Sequence, residues 1–342
     1  MDDGAGQMLR EPVRLDMNEV PYPPPERVVE AARMALGKLN RYADPEELQR
    51  LRELLARYAG VPSRYVILSP GSDLLLREMI LMFAPGRKVV TVSPSFYPTL
   101  QVVEQFASIQ LSIRLSPPTF DLNLDVLTSE LDEASLVIVD NPNNPTGSVL
   151  LDREAVETIV EHSKALVVID EAYYEFSGVT FADMVGDWPR VAVTRTMDKA
   201  FSLAGARIGY AVVGDAFLDA FSTLYAFLAR PSLYAAMEAL RNCAYMRENV
   251  RQVIQERERL RQELDHVHAQ HPDGVRAYPS STNFLLVRTQ IPDLARRLGD
   301  VGILVADVAS QLPPGFIRVS VGTRQENDAF LDSCVKICQT NE

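Results

Sequence analysis

Residues 194–210 read TRTMDKAFSLAGARIGY, and one lysine stands out in them. Lys199 lies between a short polar run and an apolar one, with Asp198 before it and Arg207 eight positions on. Other polar groups follow apolar runs elsewhere: Gly71-Ser72-Asp73 after YVILSP, NPNNPTG (141–147) after LVIVD, and DEAYYEF (170–176) after LVVI. One chemistry uses them all. A lysine amine condenses with an aldehyde cofactor, and a carboxylate in a water-poor site, Asp170, keeps a pyridine nitrogen protonated so that the ring draws off a carbanion's electrons. The Tyr173 phenol and the Asn144 amide are candidates to bind the ring hydroxyl oxygen. Arg207, the Thr196 hydroxyl and backbone N–H groups at a helix start after Gly71-Ser72-Asp73 are candidate donors to a phosphate. Phe96, in SPSFYP, is a candidate to stack on the ring. Each signal alone is weak, since a lone lysine is usually a surface residue and NPNNPTG is rich in turn formers. Their joint order carries the reading.

The elements that must position these groups are legible as alternating patterns. YVIL (65–68), KVVTV (88–92), IQLSIRL (109–115), LVIV (136–139), LVVID (166–170), VAVT (191–194) and IGYAVV (208–213) read as strands. LLLREMILMF, YPTLQVVEQF and REAVETIVEH read as the helices between them. Apolar runs without alternation predict strands buried on both faces, hence a largely parallel α/β sheet. In such sheets ligands bind beyond the C-terminal strand ends, where the polar clusters fall. A helical pattern over 233–267 is expected as one connecting helix, followed by a smaller α+β unit. The expected division is an N-terminal arm belonging partly to the small unit (1–45), a large cofactor-binding domain (46–232), the connecting helix (233–267) and a small C-terminal domain (268–342).

A net charge of −12 leaves no basic field to attract phosphates, so neither nucleic acid nor an anionic membrane is expected as a partner. No apolar run reaches the roughly 18 residues of a membrane span. The acidic start MDDGAGQ lacks the pattern of a secretion signal. Three cysteines, with Cys334 and Cys338 one helical turn apart in an amphipathic stretch, suit core packing in a reduced, cytoplasmic compartment. His266, His268 and His271 sit at a charged helix end, so a solvated face is expected there and no metal is needed.

Asn144-Pro-Thr-Gly, Asp170-x-x-Tyr173, Thr196-x-x-Lys199 and Arg207 resemble, in order and spacing, the fold-type-I pyridoxal-phosphate aminotransferases. The similarity is strongest to the histidinol-phosphate aminotransferase branch and runs over nearly the whole chain. The resemblance implies an aspartate-aminotransferase-like fold and pyridoxal 5'-phosphate as cofactor. It implies an amino acid and a 2-oxo acid as small-molecule substrates. LDMNEVPYPPP (15–25), with Tyr22, is similar to the branch's N-terminal arm and implies a substrate-side role for that tyrosine. NRYADPEELQRLRELLARYAGV (40–61) resembles the segment whose tyrosine, here Tyr42, reaches the partner subunit's cofactor phosphate. This implies a homodimer with shared active sites. FIRVSVGTRQEN (316–327) implies Arg318 as the arginine that grips the substrate α-carboxylate, and Asn144 also faces substrate. Lys199, Asp170 and Tyr173 are the implied catalytic residues.

Three departures from the branch's pattern bear on substrate and cofactor. Serine usually precedes the lysine, where this chain has Asp198. Arginine usually follows ILV, where this chain has Ala306, so a non-phosphorylated donor is expected. The usual Pro-Tyr-Asn reads RPSLY (230–234). Asp198 either faces the cofactor phosphate and weakens it or pairs with Arg195 or Arg207. A decarboxylase of the threonine-phosphate-decarboxylase type is the alternative reading, and a non-catalytic cofactor-binding module is the weakest one.

Overall fold

The structure is a computed structural model, and it describes residues 11–221 and 227–340. Its strands are β1 (Val13–Leu15), β2 (Val66–Ser69), β3 (Lys88–Ser93), β4 (Ile109–Arg114), β5 (Ala134–Asp140), β6 (Leu166–Asp170), β7 (Val191–Thr196), β8 (Gly209–Val213), β9 (Val275–Ala277), β10 (Phe284–Thr289), β11 (Ile303–Asp307) and β12 (Phe316–Ser320). Its α-helices are α1 (Glu26–Ala35), α2 (Pro45–Ala59), α3 (Ser72–Phe83), α4 (Tyr97–Phe106), α5 (Leu124–Ser129), α6 (Arg153–Glu161), α7 (Tyr174–Ser177), α8 (Asp215–Phe221), α9 (Arg230–Arg241), α10 (Ala244–Gln270), α11 (Leu294–Gly299) and α12 (Arg324–Gln339).

Seven strands form the larger sheet in the order β2-β8-β7-β6-β5-β3-β4. Neighbours from β7 to β4 are parallel, and β8 runs against both β7 and β2. The unbroken apolar runs have the expected cause. Val137 and Val139 enter one hydrophobic core, while Leu136 and Ile138 enter another on the opposite face. Val167 and Ile169 repeat the pattern against Val168. With successive side chains pointing to opposite faces, covering both faces leaves no position for a polar residue until the strand ends.

Five strands form the smaller sheet, in the order β1-β11-β12-β10-β9. It packs its own core with Leu260 and Leu264 of α10 and with Phe330 and Cys334 of α12. Cys338 is buried there too, as the core-packing reading of the cysteines expects. The N-terminal arm joins this sheet through β1, which runs parallel to β11. The next helix does not follow it: α1 packs on α9, and Val28 belongs to the core of the larger sheet.

The single helix expected over 233–267 is two helices. The chain breaks at Asn242, whose backbone leaves the helical region (φ −142°, ψ 80°). The Asn242 Oδ1 accepts a hydrogen bond from the Ala244 N–H at 3.2 Å, which gives the backbone a local partner in place of a continued ladder. Two other helix starts carry full sequence signatures. Asp44 with Glu47, and Thr323 with Glu326, form capping boxes at α2 and α12. Among the described residues no helix is long and apolar enough to cross a membrane.

Candidate active site

Each cluster noted in the sequence sits where a strand of the larger sheet ends. Strand β2 leads into Gly71 and α3, β5 ends on Asp140, β6 on Asp170, and β7 runs through Thr196 to Asp198 and Lys199. Asp140, Asp170, Thr196, Asp198 and Lys199 line one cavity of about 230 Å³ with Ser72, Asp73, Phe96, Asn144, Tyr173 and Arg207. The far wall comes from the smaller sheet and the arm, through Arg318, Met17 and Asn18. Residues 302 positions apart thus meet, as in the hydrogen bond from the Asn18 backbone N–H to Ser320 Oγ at 2.8 Å.

The loop 141–148 is held by its own asparagines. Asn141 Oδ1 accepts from the backbone N–H groups of Leu150 and Leu151, at 2.6 and 3.0 Å. Asn143 Oδ1 accepts from the Thr146 hydroxyl at 2.7 Å. Gly147 has φ 78°, and an added Cβ would lie 2.4 Å from Ser280 Oγ, so glycine alone lets the loop press against the smaller unit. The loop presents Asn144, whose Oδ1 accepts from Arg318 Nη1 at 2.7 Å. Arg318 Nη2 donates to the Asp16 carbonyl at 2.7 Å, while Nε is buried without a partner. No carboxylate forms an ion pair with Arg318 among the described residues, and burial lowers its pKa. A guanidinium in that state is a ready partner for an anion.

Asp170 lies in register with Asp140 on β5 and with Thr194 on β7. Its Oδ1 accepts from the Thr194 hydroxyl at 2.8 Å. Burial, reinforced by the nearby Asp140 charge, pushes its pKa up to about 7. A cationic ring nitrogen bound beside it would relieve that cost. Tyr173 Oη accepts from Asn18 Nδ2 at 2.9 Å. Lys199 Nζ donates to the Met17 carbonyl at 3.2 Å and lies 6.0 Å from the centre of the Tyr173 ring. It forms no ion pair among the described residues, which suits an amine that must condense with an aldehyde.

The phosphate side is crowded. Gly71, with φ 104°, caps α3, and an added Cβ would meet Asp73 Oδ1 and Arg207 Nη2 within 2.4 Å. Gly209 on β8 backs directly onto Gly71 and Ser72, at 2.2 Å from an added Cβ. Arg207 is in the left-handed backbone region (φ 53°, ψ 62°) and turns its guanidinium toward the α3 start. Its Nη2 donates to Asp73 Oδ1 at 2.6 Å, and its Nη1 pairs with Asp198 Oδ2. Thr196 Oγ1 donates to the Ile208 carbonyl at 3.3 Å and accepts from the Asp198 N–H at 3.0 Å. Of the two partners considered for Asp198, Arg207 has it; Arg195 instead pairs with buried Glu171 at 2.9 Å. The glycine cradle, α3 N–H groups, arginine and hydroxyl fit a phosphate. The lysine and the buried carboxylate fit an aldehyde-bearing pyridine.

Three predicted residues stand outside the cavity lining: Gly71, which lies behind it at the start of α3, Tyr22 and Tyr42. Tyr22 is partly buried, with Glu256 and Glu326 nearby raising its pKa after burial itself. Tyr42 is 77% exposed, its ring 4.9 Å from that of Phe227. Conversely, Asp140 and Asn18 line the cavity without having been singled out. Asp140 accepts from Ser95 Oγ (2.9 Å), Asn143 Nδ2 (2.8 Å) and the Asn144 backbone N–H (2.8 Å), and so fixes the loop that carries Asn144. Burial pushes its pKa up to about 6. Its signal was available, since LVIVD ends in aspartate as LVVID does. Asn18 had none, because its partner Tyr173 is 155 residues away.

The family model "Aminotransferase class I and II" matches residues 10–333. A histidinol-phosphate aminotransferase of Sulfurisphaera tokodaii is 33% identical over 330 residues, covering 94% of this chain and 89% of the relative. One of Thermococcus kodakarensis is 35% identical over 326 residues, covering 93% and 90%. The crystal structure of histidinol-phosphate aminotransferase from Sinorhizobium meliloti, in complex with pyridoxal-5'-phosphate, superimposes with a TM-score of 0.85 at 27% identity, covering 97% of this chain and 93% of that one. A match over this much of the chain, on a fold that converges these groups, places it in the class I and II aminotransferase family.

Proposed function

We propose that this protein transfers an amino group between an amino acid and a 2-oxo acid, using pyridoxal 5'-phosphate. One observation carries the reading: Lys199, Asp170, Arg207 and Arg318 line a single cavity. The bound cofactor supplies an aldehyde that exchanges amines and a ring that accepts an electron pair. Lys199 Nζ would anchor it and, as a free amine, would be the base that moves the substrate α-proton. Asp170 holds the ring nitrogen protonated. Tyr173 and Asn144 bind the ring hydroxyl oxygen, and Phe96 stacks on the ring. Thr196, Arg207 and the α3 N–H groups after Gly71, Ser72 and Asp73 hold the phosphate, joined by Tyr42 of a second copy in a homodimer. Arg318, already braced by Asn144, grips the α-carboxylate, and Tyr22 of the arm stands on the substrate side, outside the cavity lining. The division proposed here is an arm, a large cofactor-binding unit, a connection and a small C-terminal unit, with α1 packed on the large unit and the connection made of α9 and α10.

The donor is a free amino acid in preference to histidinol phosphate. Ala306 pairs in register with Arg318 and brings only a methyl where a second phosphate-binding charge would stand. Such a contact is worth roughly 1.5–3 kcal/mol. Borohydride reduction of the purified protein followed by peptide mapping is expected to mark Lys199, and a label on another lysine overturns the assignment. Asp170→Ala is expected to retain some cofactor and lose at least about a thousandfold in turnover. A screen of amino donors, histidinol phosphate included, against 2-oxoglutarate and pyruvate tests the substrate. Histidinol phosphate as the best donor overturns the free-amino-acid reading, and carbon dioxide release without amino transfer overturns transamination.

A further inference from the structure

Both terminal nitrogens of Arg207, the arginine proposed to hold the cofactor phosphate, are engaged by carboxylates of the chain itself. The two partners differ. The Asp73 side chain is 52% exposed, so water screens that pair and it gives way easily. The Asp198 side chain is 9% exposed, and its second oxygen, Oδ1, is buried without a hydrogen-bond partner. A buried carboxylate with one oxygen on the arginine and the other unpaired lines the cavity where an anion has to arrive. A dianionic phosphate that takes Arg207 away strands this carboxylate, and a stranded buried charge is neutralised by a proton.

We infer that Asp198 is an internal competitor for the cofactor phosphate, so that the phosphate binds weakly and with uptake of a proton by the Asp198 carboxylate. This rests on the cofactor reading above. The groups facing Asp198 are Arg207, Lys199 and the Thr196 hydroxyl, which favour its charged form, and Asp73, which opposes it. Burial outweighs the favourable partners and already raises the Asp198 pKa before any phosphate adds its charge. The proton comes from solvent, and no covalent bond changes. The pairing also keeps Arg207 oriented, so structural partner and phosphate-site competitor are one role.

The test is a titration of the cofactor-stripped full chain with pyridoxal 5'-phosphate and, separately, with pyridoxal, which has no phosphate. Asp198→Ser is expected to lower the Kd for pyridoxal 5'-phosphate about tenfold and to leave that for pyridoxal within about twofold, the difference reporting one charge-assisted contact released. Calorimetry at pH 7.5 in two buffers of different ionisation enthalpy counts protons. The wild type is expected to take up more than Asp198→Asn, with a difference approaching one. Asp198→Asn keeps the side-chain volume and covers the case in which the serine variant does not fold. Equal or weaker binding of pyridoxal 5'-phosphate by the folded variants, or equal proton counts, overturns the inference while leaving the cofactor reading intact. Failure of every protein to bind pyridoxal 5'-phosphate overturns both.

Discussion

At the scale of single residues, burial decides what each charge can do. Arg318 has neutral oxygens as partners and an unpaired Nε, so it is unsatisfied until an anion arrives. Arg318→Ala is expected to raise the KM of a carboxylate donor roughly ten- to a hundredfold, the scale of one charge-assisted contact, with a smaller change in kcat. An unchanged KM places the carboxylate elsewhere. Glu175 stands outside the cavity lining and titrates differently. Its Oε2 is buried without a partner, Tyr58 donates to its Oε1 at 3.3 Å, and burial pushes its pKa up to about 8 from 4.5. Between those two values the folded protein holds a proton that the unfolded chain has released. Stability from this group is therefore full below about pH 4.5 and falls as pH rises through 8. Glu175→Gln, which keeps the neutral shape, is expected to raise Tm more at pH 8 than at pH 5. Thermal melts at both values check it, and an equal gain shows that Glu175 is not protonated in the fold.

At the scale of elements, the site depends on how closely β8 and the start of α3 approach. An added Cβ at Gly209 would lie 2.2 Å from the carbonyl carbon of Gly71 and from the Ser72 nitrogen, and backbone cannot move aside cheaply. Gly209→Ala is expected to cost about 1–3 kcal/mol of stability, as overpacking does, and to weaken pyridoxal 5'-phosphate binding at least fivefold by displacing the α3 N–H groups. Gly186→Ala, with nothing within 4 Å, is the control and is expected to stay within about 0.5 kcal/mol. Denaturant unfolding and a cofactor titration measure both. Wild-type cofactor affinity in Gly209→Ala would show that the α3 start does not bind the phosphate.

At the scale of the whole molecule, several large apolar side chains near α1 and α9 stand exposed. Met34 is 74% exposed, Leu39 67%, Tyr42 77% and Phe227 65%. The Tyr42 and Phe227 rings meet at 4.9 Å, and exposed apolar side chains of this size are what a second copy would cover. Mixing Tyr42→Phe with Lys199→Ala chains, each nearly inactive alone, is expected to restore part of the activity. One site in each hybrid dimer then escapes both changes. Sedimentation confirms whether hybrids form. No rescue in hybrids that do form places Tyr42's action within its own chain or removes it.

The alternation of apolar runs and helical periods made the parallel sheet legible, because strands covered on both faces have no room for polar residues until they end. For the same reason the candidate groups Asp170, Asn144, Thr196 and Lys199 could be picked out where the strands stop. The Asn242 break was less visible, since an asparagine is tolerated within an amphipathic run until its side chain finds the N–H of Ala244. Asn18 and the pairing of Arg207 with Asp198 and Asp73 needed the tertiary structure. Local periodicity fixes which face of an element is apolar, but which charges meet across a cavity depends on close approach of segments far apart in the chain. Residue types and spacing were enough to set the cofactor chemistry on offer, because they are local; that the arginine proposed for the phosphate already holds two carboxylates comes from packing between distant segments.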